Sequence, residues 1–457
     1  MSVIGKKALL LGAGFVCEPA VKALAEAGVH VTVGSRTLST AQQLVGSQKN
    51  ATAIALDVAN DAVGLSDAVS KTDIVISLVP YVLHPVVVEA AITHKKPVVT
   101  TSYISPALWD LDEKAKPAGV TILNEIGMDP GVDHLYAVKT IDEVHKAGGK
   151  IVGFTSNCGA LPAPKSANNP LGYKFSWSPR GGLLALLNNG RWYENGEIAT
   201  VEGKNLMAIA KPLDIPGFDL VGYPNRDSAG FREFYQIPEA KTVFRGTMRY
   251  TGFPEVIRSL IAIGYFSLDE RSSLKSTHTT LGELTAELLG LSSASSEDLK
   301  KTVAQKIKSI VQTEDESARV ISSLDWIGIF DSNTAVEART TPLDTLGGVL
   351  EKKMSYQPGE QDMVLLQHIF DIVHADGTKE KRSSTLLEYG EPVALGSRSA
   401  MAKLVGLPCA SGVIAVLEGR IKQTGMVAPW TTAEIATLLR EDIYEKHGIT
   451  MEEKVIG

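Results

Sequence analysis

Cysteine is scarce: Cys17, Cys158 and Cys409 are the only three in 457 residues, widely separated, with no C-x-x-C or Cys/His ligand spacing. That excludes a disulfide framework and gives no support to a structural metal site. Long apolar runs are missing too. Runs such as Ile74 to Pro80 and Pro85 to Val88 fall far short of the roughly 20 residues a membrane span needs. Met1 to Lys7 carries charge and leads straight into a strand-like run, where a signal peptide would need an apolar h-region and a small-residue cleavage site. Glu453 to Gly457 holds no readable address. The expectation is a cytosolic chain with no membrane partner. An excess of positive charge is also lacking: 45 Lys and Arg against 52 Asp and Glu leave a formal charge of −7. This argues against nucleic acid and requires that any anionic ligand be held by local positive features. Internal repeats and low-complexity segments are absent.

What remains is a globular composition, 44% hydrophobic and 21% charged, in a chain too long for one core. Residues 6 to 125 alternate short apolar strands with helices. The strands are Lys7 to Leu11, Val29 to Gly34, Ala51 to Leu56, Asp73 to Val79, Pro97 to Thr101 and Val120 to Leu123. Strands of this kind separated by helices make right-handed βαβ units and a parallel, doubly wound, Rossmann-like sheet. After Pro130 a helix runs to about Lys146, followed by a strand (Ile151 to Asn157) and a Pro/Asn-rich loop. Residues 173 to 253 mix strands with loops, and Pro254 to Lys353 reads as mostly helical. Asp362 to Val373 and Lys379 to Leu387 form a hairpin around Ala375-Asp376-Gly377. A helix near Ser399 to Leu417 and a polar tail complete the chain. The expected class is α/β. Residues 1–130 form a dinucleotide domain, onto which 398–457 is expected to return. Residues 131–253 with 355–397 form an α+β domain for substrate and dimerisation, and 254–354 a helical insertion.

The turn Gly12-Ala13-Gly14 follows the first strand and precedes the helix that Phe15-Val16 opens. Backbone N–H groups at a helix start face an anion, and the glycines admit a pyrophosphate. Cys17 replaces the third glycine of the G-x-G-x-x-G pattern. A G-x-G alone is also a plain tight turn; its place in a βαβ series carries the cofactor reading. An NAD enzyme tends to place a carboxylate at the end of the second strand, whereas this strand ends Ser35-Arg36-Thr37. The guanidinium of Arg36 and the two hydroxyls suit a 2′-phosphate, so the expected cofactor is NADP(H). Later strand ends supply Asp57-Val58, Val79-Pro80 and Thr101-Ser102-Tyr103.

Six segments are unusual in composition: Thr100-Thr101-Ser102-Tyr103-Ile104-Ser105-Pro106, Asn124 to His134, Cys158-Gly159-Ala160-Leu161-Pro162, Asn169-Pro170-Leu171-Gly172-Tyr173-Lys174-Phe175-Ser176-Trp177-Ser178, Tyr223 to Asp227 and Arg245 to Tyr250. In order and content they resemble the fungal saccharopine reductases, from Gly12 to Gly377. That resemblance implies NADPH-dependent formation of saccharopine from 2-aminoadipate 6-semialdehyde and glutamate, three domains and a homodimer. It also implies cofactor contacts at Ala13 to Val16, Ser35 to Thr37, Asp57, Val58, Val79, Thr101, Ser102, Met128, Asp129, Pro130 and Trp177. Implied substrate contacts are Ser102, Tyr103, Asp129, Arg226, Thr247, Met248 and Arg249.

The chemistry agrees. Saccharopine carries three carboxylates, for which Arg226 and Arg249 offer fork-shaped partners. Three candidates for the catalytic list keep two readings each. Asp129, before Pro130, is either a helix cap or a charge that meets the substrate. Tyr103 either orients or protonates a reacting nitrogen, or is a packed tyrosine. Cys158 either lines the site or is an inert buried thiol. His134 reads as a packing or hydrogen-bonding residue. Another C–N-forming imine reductase, or a non-catalytic NADP-binding regulator, remains the alternative.

Overall fold

The computed structural model describes residues 2–275, 279–291, 295–337, 339–394 and 398–457. Its first sheet has seven strands, all parallel: β1 (Lys7–Leu11), β2 (His30–Ser35), β3 (Ala51–Ala55), β4 (Ile74–Ser77), β5 (Val98–Thr100), β6 (Thr121–Leu123) and a strand from far down the chain, Gly425–Val427. The spatial order is Gly425–Val427, β6, β5, β4, β1, β2, β3. Chain order therefore reverses beside β1, which opens a crevice at the carboxyl ends of β1 and β4. In β1, Ala8 and Leu10 pack into one apolar cluster, and Leu9 and Leu11 into another on the opposite face. A strand buried on both faces has no polar side to alternate with, which is why it reads as the run Ala-Leu-Leu-Leu.

A nine-stranded sheet follows. Its main path is Lys211–Ile215, Phe218–Pro224, Thr242–Tyr250, Lys150–Pro162, Asp362–Val373, Lys379–Tyr389 and Glu452–Val455; the hairpin Gly190–Glu194/Glu197–Val201 branches from Thr242–Tyr250. Only the pairing of Thr242–Tyr250 with Lys150–Pro162 is parallel. The same alternation sorts its core. Val364 and Leu366 join the cluster that holds helix Val132–Lys146 and part of β1, while Met363 and Leu365 join the helices between 253 and 354. One apolar cluster thus runs continuously from the first sheet to the second.

Three elements differ from the sequence reading. Strand Lys150–Pro162 continues past Asn157, and Gly159 lies where a Cβ would come 3.0 Å from Met248. The polar tail contains helix Ala433–His447, whose buried Ile435, Ala436, Leu439 and Ile443 form a stripe too thin to stand out among its charges. The segment 398–457 does not return to the first sheet alone. Gly425–Val427 pairs with β6, whereas Glu452–Val455 pairs with Lys379–Tyr389 in the second sheet.

Apolar length was also underestimated. Helix Ala400–Leu417 is, by length and composition alone, apolar enough to cross a membrane, but about two thirds of it (67%) is buried inside the fold. At Gly406 a Cβ would come 3.0 Å from Ala20 N and Val16 O, so the helix sits hard against the start of helix Glu18–Glu26. That is the packing of a core helix.

Candidate active site

Several of the residues expected to meet a dinucleotide stand at the carboxyl ends of the first five parallel strands. Gly12 has φ +112°, and a Cβ there would lie 2.5 Å from the Leu78 carbonyl oxygen, so only glycine fits. At Gly14 a Cβ would meet open space. Phe15 is exposed, and helix Glu18–Glu26 begins without a side-chain cap, which leaves its first N–H groups unclaimed by side chains. Cys17, in the third glycine's place, is buried in the apolar core; burial pushes its thiol up to about 12. Ser35 ends β2. Arg36 and Thr37 follow, both exposed; Arg36 has no ion pair among the described residues, and the Thr37 hydroxyl makes no cap bond. After β3, Asp57 accepts from Asn60 Nδ2 at 3.0 Å and from Ala59 N at 3.0 Å, and the bond from Asn60 leads in holding its carboxyl below the usual range. Val58 is buried beside it. Half-buried Val79 follows β4, and Thr101 follows β5, against Gly127.

At the junction of the two sheets lies a buried charged cluster. The Tyr103 hydroxyl donates to Asp129 Oδ1 at 2.5 Å. Arg245 Nη2 donates to that same oxygen at 2.6 Å, to the Tyr103 oxygen at 2.9 Å and to Asp133 Oδ2 at 2.5 Å. Side chains here are nearly sealed: 4% exposed for Arg245, 8% for Asp129 and 1% for Asp133. Burial pushes the Tyr103 phenol well above its ordinary value, so it stays protonated and is the donor in its bond to Asp129. Cys158 Sγ is 3.3 Å from Met128 Sδ, and burial, followed by the charges of Asp129 and Asp133, pushes its thiol well up. A thiol so placed is no nucleophile.

The cap reading of Asp129 is corrected here. Helix Val132–Lys146 starts at N-cap Gly131, the Asp129–Pro130 peptide is cis, and it is Asp133 that accepts Gly131 N, at 2.6 Å. Pro130 is therefore not the first helical residue, and the Asp129 carboxylate is committed to Tyr103 and Arg245. His134 behaves as expected for a bonding residue: Nδ1 is 2.7 Å from the Tyr235 hydroxyl, and Nε2 lies 2.8 Å from Glu125, out of line for a directed bond.

The two expected substrate arginines are placed differently. Arg226 is exposed, at φ 56°, and its guanidinium stands 5.7 Å from the Tyr103 ring centre and 5.9 Å from that of Tyr81. Arg249 is buried. Its Nη1 donates to the Met248 carbonyl at 2.7 Å, its guanidinium lies 4.5 Å from the Tyr173 ring centre, and no carboxylate pairs with it among the described residues. Thr247 is in register with Cys158, whereas the Met248 side chain is sealed in the core. Trp177 packs over Gly181 and Gly182 in the second part of the chain.

Arg245, Asp133 and His84 were not singled out from the sequence. Strand alternation was the available signal for Arg245, since 245, 247 and 249 fall on one face. For His84 no local signal exists. It is sealed from solvent, with Nδ1 2.7 Å from Ser77 Oγ and Nε2 2.9 Å from Ser102 Oγ.

Burial pushes His84 down to about 4 and His368 down to about 3. In the unfolded chain both titrate near 6.5. The unfolded state thus binds protons that the folded state refuses. Their contribution is complete above pH 6.5 and is lost as pH falls toward 4. Between pH 7 and pH 5 each should cost about 2 kcal/mol of stability. Urea titrations at the two pH values check this. His84→Gln and His368→Gln should each flatten the difference, and a pH-independent midpoint would refute the assignment.

A parallel sheet with a glycine turn at its strand reversal, joined through a buried charged cleft to a second sheet, defines a two-part dinucleotide-dependent oxidoreductase. Residues 8–123 match the saccharopine dehydrogenase NADP binding domain, and residues 127–449 match the saccharopine dehydrogenase C-terminal domain. The chain is 49% identical over 453 residues to saccharopine dehydrogenase (NADP(+), L-glutamate-forming) of Pyricularia oryzae, covering 99% of each chain. It is 47% identical over 456 residues to the Saccharomyces cerevisiae protein of that name, covering 99% and 100%. The solved apo histidine-tagged saccharopine dehydrogenase (L-Glu forming) from Saccharomyces cerevisiae matches with a TM-score of 0.88 at 46% identity, covering 99% of this chain and 100% of that one. The chain belongs to the saccharopine dehydrogenase family.

Proposed function

We propose that the protein uses NADPH to reduce the imine formed between L-2-aminoadipate 6-semialdehyde and L-glutamate, giving saccharopine for lysine biosynthesis. The observation that carries this is Arg249, a buried cation with no carboxylate partner among the described residues. A substrate with three carboxylates supplies what that arginine lacks. Kinship over the whole length of L-glutamate-forming relatives supports the same reading.

The residues fit the cofactor. Gly12 lets the turn fold tightly against Leu78, Gly14 leaves open space for a pyrophosphate at the helix start, and Arg36 with Ser35 and Thr37 suits a 2′-phosphate. The nicotinamide, when bound, supplies the hydride that the C=N carbon receives. The protein's part is to hold and orient. Arg249 and Arg226 anchor carboxylates, and the Tyr103 phenol keeps a proton between Asp129 and Arg245 at the edge of the cleft. Much of the rate then comes from aligning two bound substrates. We further propose that the enzyme works as a homodimer in the cytosol; light scattering and cell fractionation test these two points.

Absorbance of NADPH decides the reaction. Oxidation should require both the semialdehyde and glutamate. Oxidation with the semialdehyde alone, or with a different amine in place of glutamate, would favour another imine reductase; none at all would favour a regulator. Arg36→Ala should weaken NADPH binding by about 1.5–3 kcal/mol and leave NADH nearly unchanged. Equal calorimetric losses for the two cofactors would place the 2′-phosphate elsewhere.

A further inference from the structure

Ser77, His84 and Ser102 form a chain of side chains that starts inside the sheet and ends at the cleft. Ser77 closes β4 and is fully buried, His84 opens helix His84–Thr93, and Ser102 is half-buried and adjoins Tyr103. The contacts are 2.7 Å from Ser77 Oγ to His84 Nδ1 and 2.9 Å from His84 Nε2 to Ser102 Oγ.

The two ends of this chain differ in solvent access, and the difference selects a tautomer. A neutral imidazole carries one donor and one acceptor. Burial keeps this ring neutral. Among the described residues, His84 Nδ1 is the only side-chain or backbone group bonded to the Ser77 hydroxyl. Were Nδ1 to carry the ring proton, the Ser77 O–H would be a buried donor with no acceptor, a costly arrangement. With Ser77 donating to Nδ1, every group is satisfied and the ring proton sits on Nε2. Nε2–H then donates to Ser102 Oγ, and the proton of Ser102 has to point elsewhere. Half-exposed Ser102 can direct it into the cleft.

We propose that His84 is a positioning residue that makes Ser102 an outward hydrogen-bond donor for an acceptor oxygen of the bound ligand, a carboxylate or a carboxamide. The assignment of Ser102 to the cleft rests on the function proposed above. The tautomer does not. His84 is part of neither the anion-binding turn nor the charged cluster, so it acts only through Ser102.

The test has two arms. Ring-nitrogen NMR of the histidine-labelled protein, with the His84 signals assigned by their loss in His84→Asn, should show the proton on Nε2 from pH 6 to 9. A proton on Nδ1 would overturn the inference whether or not the enzyme turns over. In the kinetic arm, Ser102→Ala should lower kcat/KM about tenfold, equivalent to about 1.4 kcal/mol. His84→Asn, whose short amide reaches Ser77 but not Ser102, should match it, and the double variant should be no worse than either alone. His84→Gln, which reaches Ser102, should recover most of the activity. A loss in NADPH affinity by calorimetry would identify the oxygen as the cofactor's carboxamide; a raised KM for glutamate would identify a substrate carboxylate. Losses that multiply in the double variant, or no recovery by glutamine, would overturn the coupling. A parent enzyme inactive with both substrates would refute the proposed reaction and leave the NMR result standing.

Discussion

Arg245→Met should cost about 3–5 kcal/mol of stability, the largest loss expected of any single change in the cleft. One guanidinium nitrogen meets Asp129, Asp133 and the Tyr103 oxygen, and both carboxylates are sealed from water. Methionine preserves much of the volume but leaves two carboxylates buried without a cation. Replacing an entire buried ion cluster by apolar groups is often tolerated; removing one partner is not. The triple variant Arg245→Met, Asp129→Asn, Asp133→Asn should therefore regain much of what the single variant loses. Urea denaturation compares them. A single variant within 1 kcal/mol of the parent would mean that the carboxylates do not depend on Arg245.

Arg249→Met should move stability and activity in opposite directions. Arg249 is buried and has aromatic neighbours and one carbonyl, but no counter-charge among the described residues. Its removal relieves an uncompensated desolvation, so the melting temperature of the ligand-free protein should stay level or rise. If Arg249 holds a substrate carboxylate, the loss of that pair should lower kcat/KM by about 2–5 kcal/mol, at least thirtyfold. NADPH affinity by calorimetry should barely change. A variant that melts early and keeps its kcat/KM would make Arg249 a structural residue.

The contrast between these two arginines marks what was legible in the sequence. Arg226 and Arg249 were readable because substrate chemistry asked for unpaired cations in distinctive segments. Arg245 was hidden because its partners come from Tyr103 and Asp129, 142 and 116 residues away. No local pattern encodes such a meeting. Of the two readings of Asp129 only the cap fails: Asp-Pro before a helix is a strong local signal for a cap, and the tertiary partners overrode it. The first sheet was readable almost strand for strand, since parallel strands buried on both faces leave unbroken apolar runs. Strand Gly425–Val427 was not: β5 and β6 are equally short but stand in an alternating βαβ series, whereas this one lies alone, far down the chain.

That short strand matters for how the chain is made. Val427 lies beside Leu123 in the finished sheet, and the Thr121 hydroxyl bonds the Gln423 carbonyl 302 residues away. On a ribosome, β6 emerges long before its neighbour exists. Through most of synthesis the nucleotide-binding sheet has an open edge at β6, the kind of surface that invites pairing with another chain. Contacts of this sequence separation also form slowly. The dinucleotide sheet thus begins to emerge before the second sheet, yet it is completed only once residue 427 has been made.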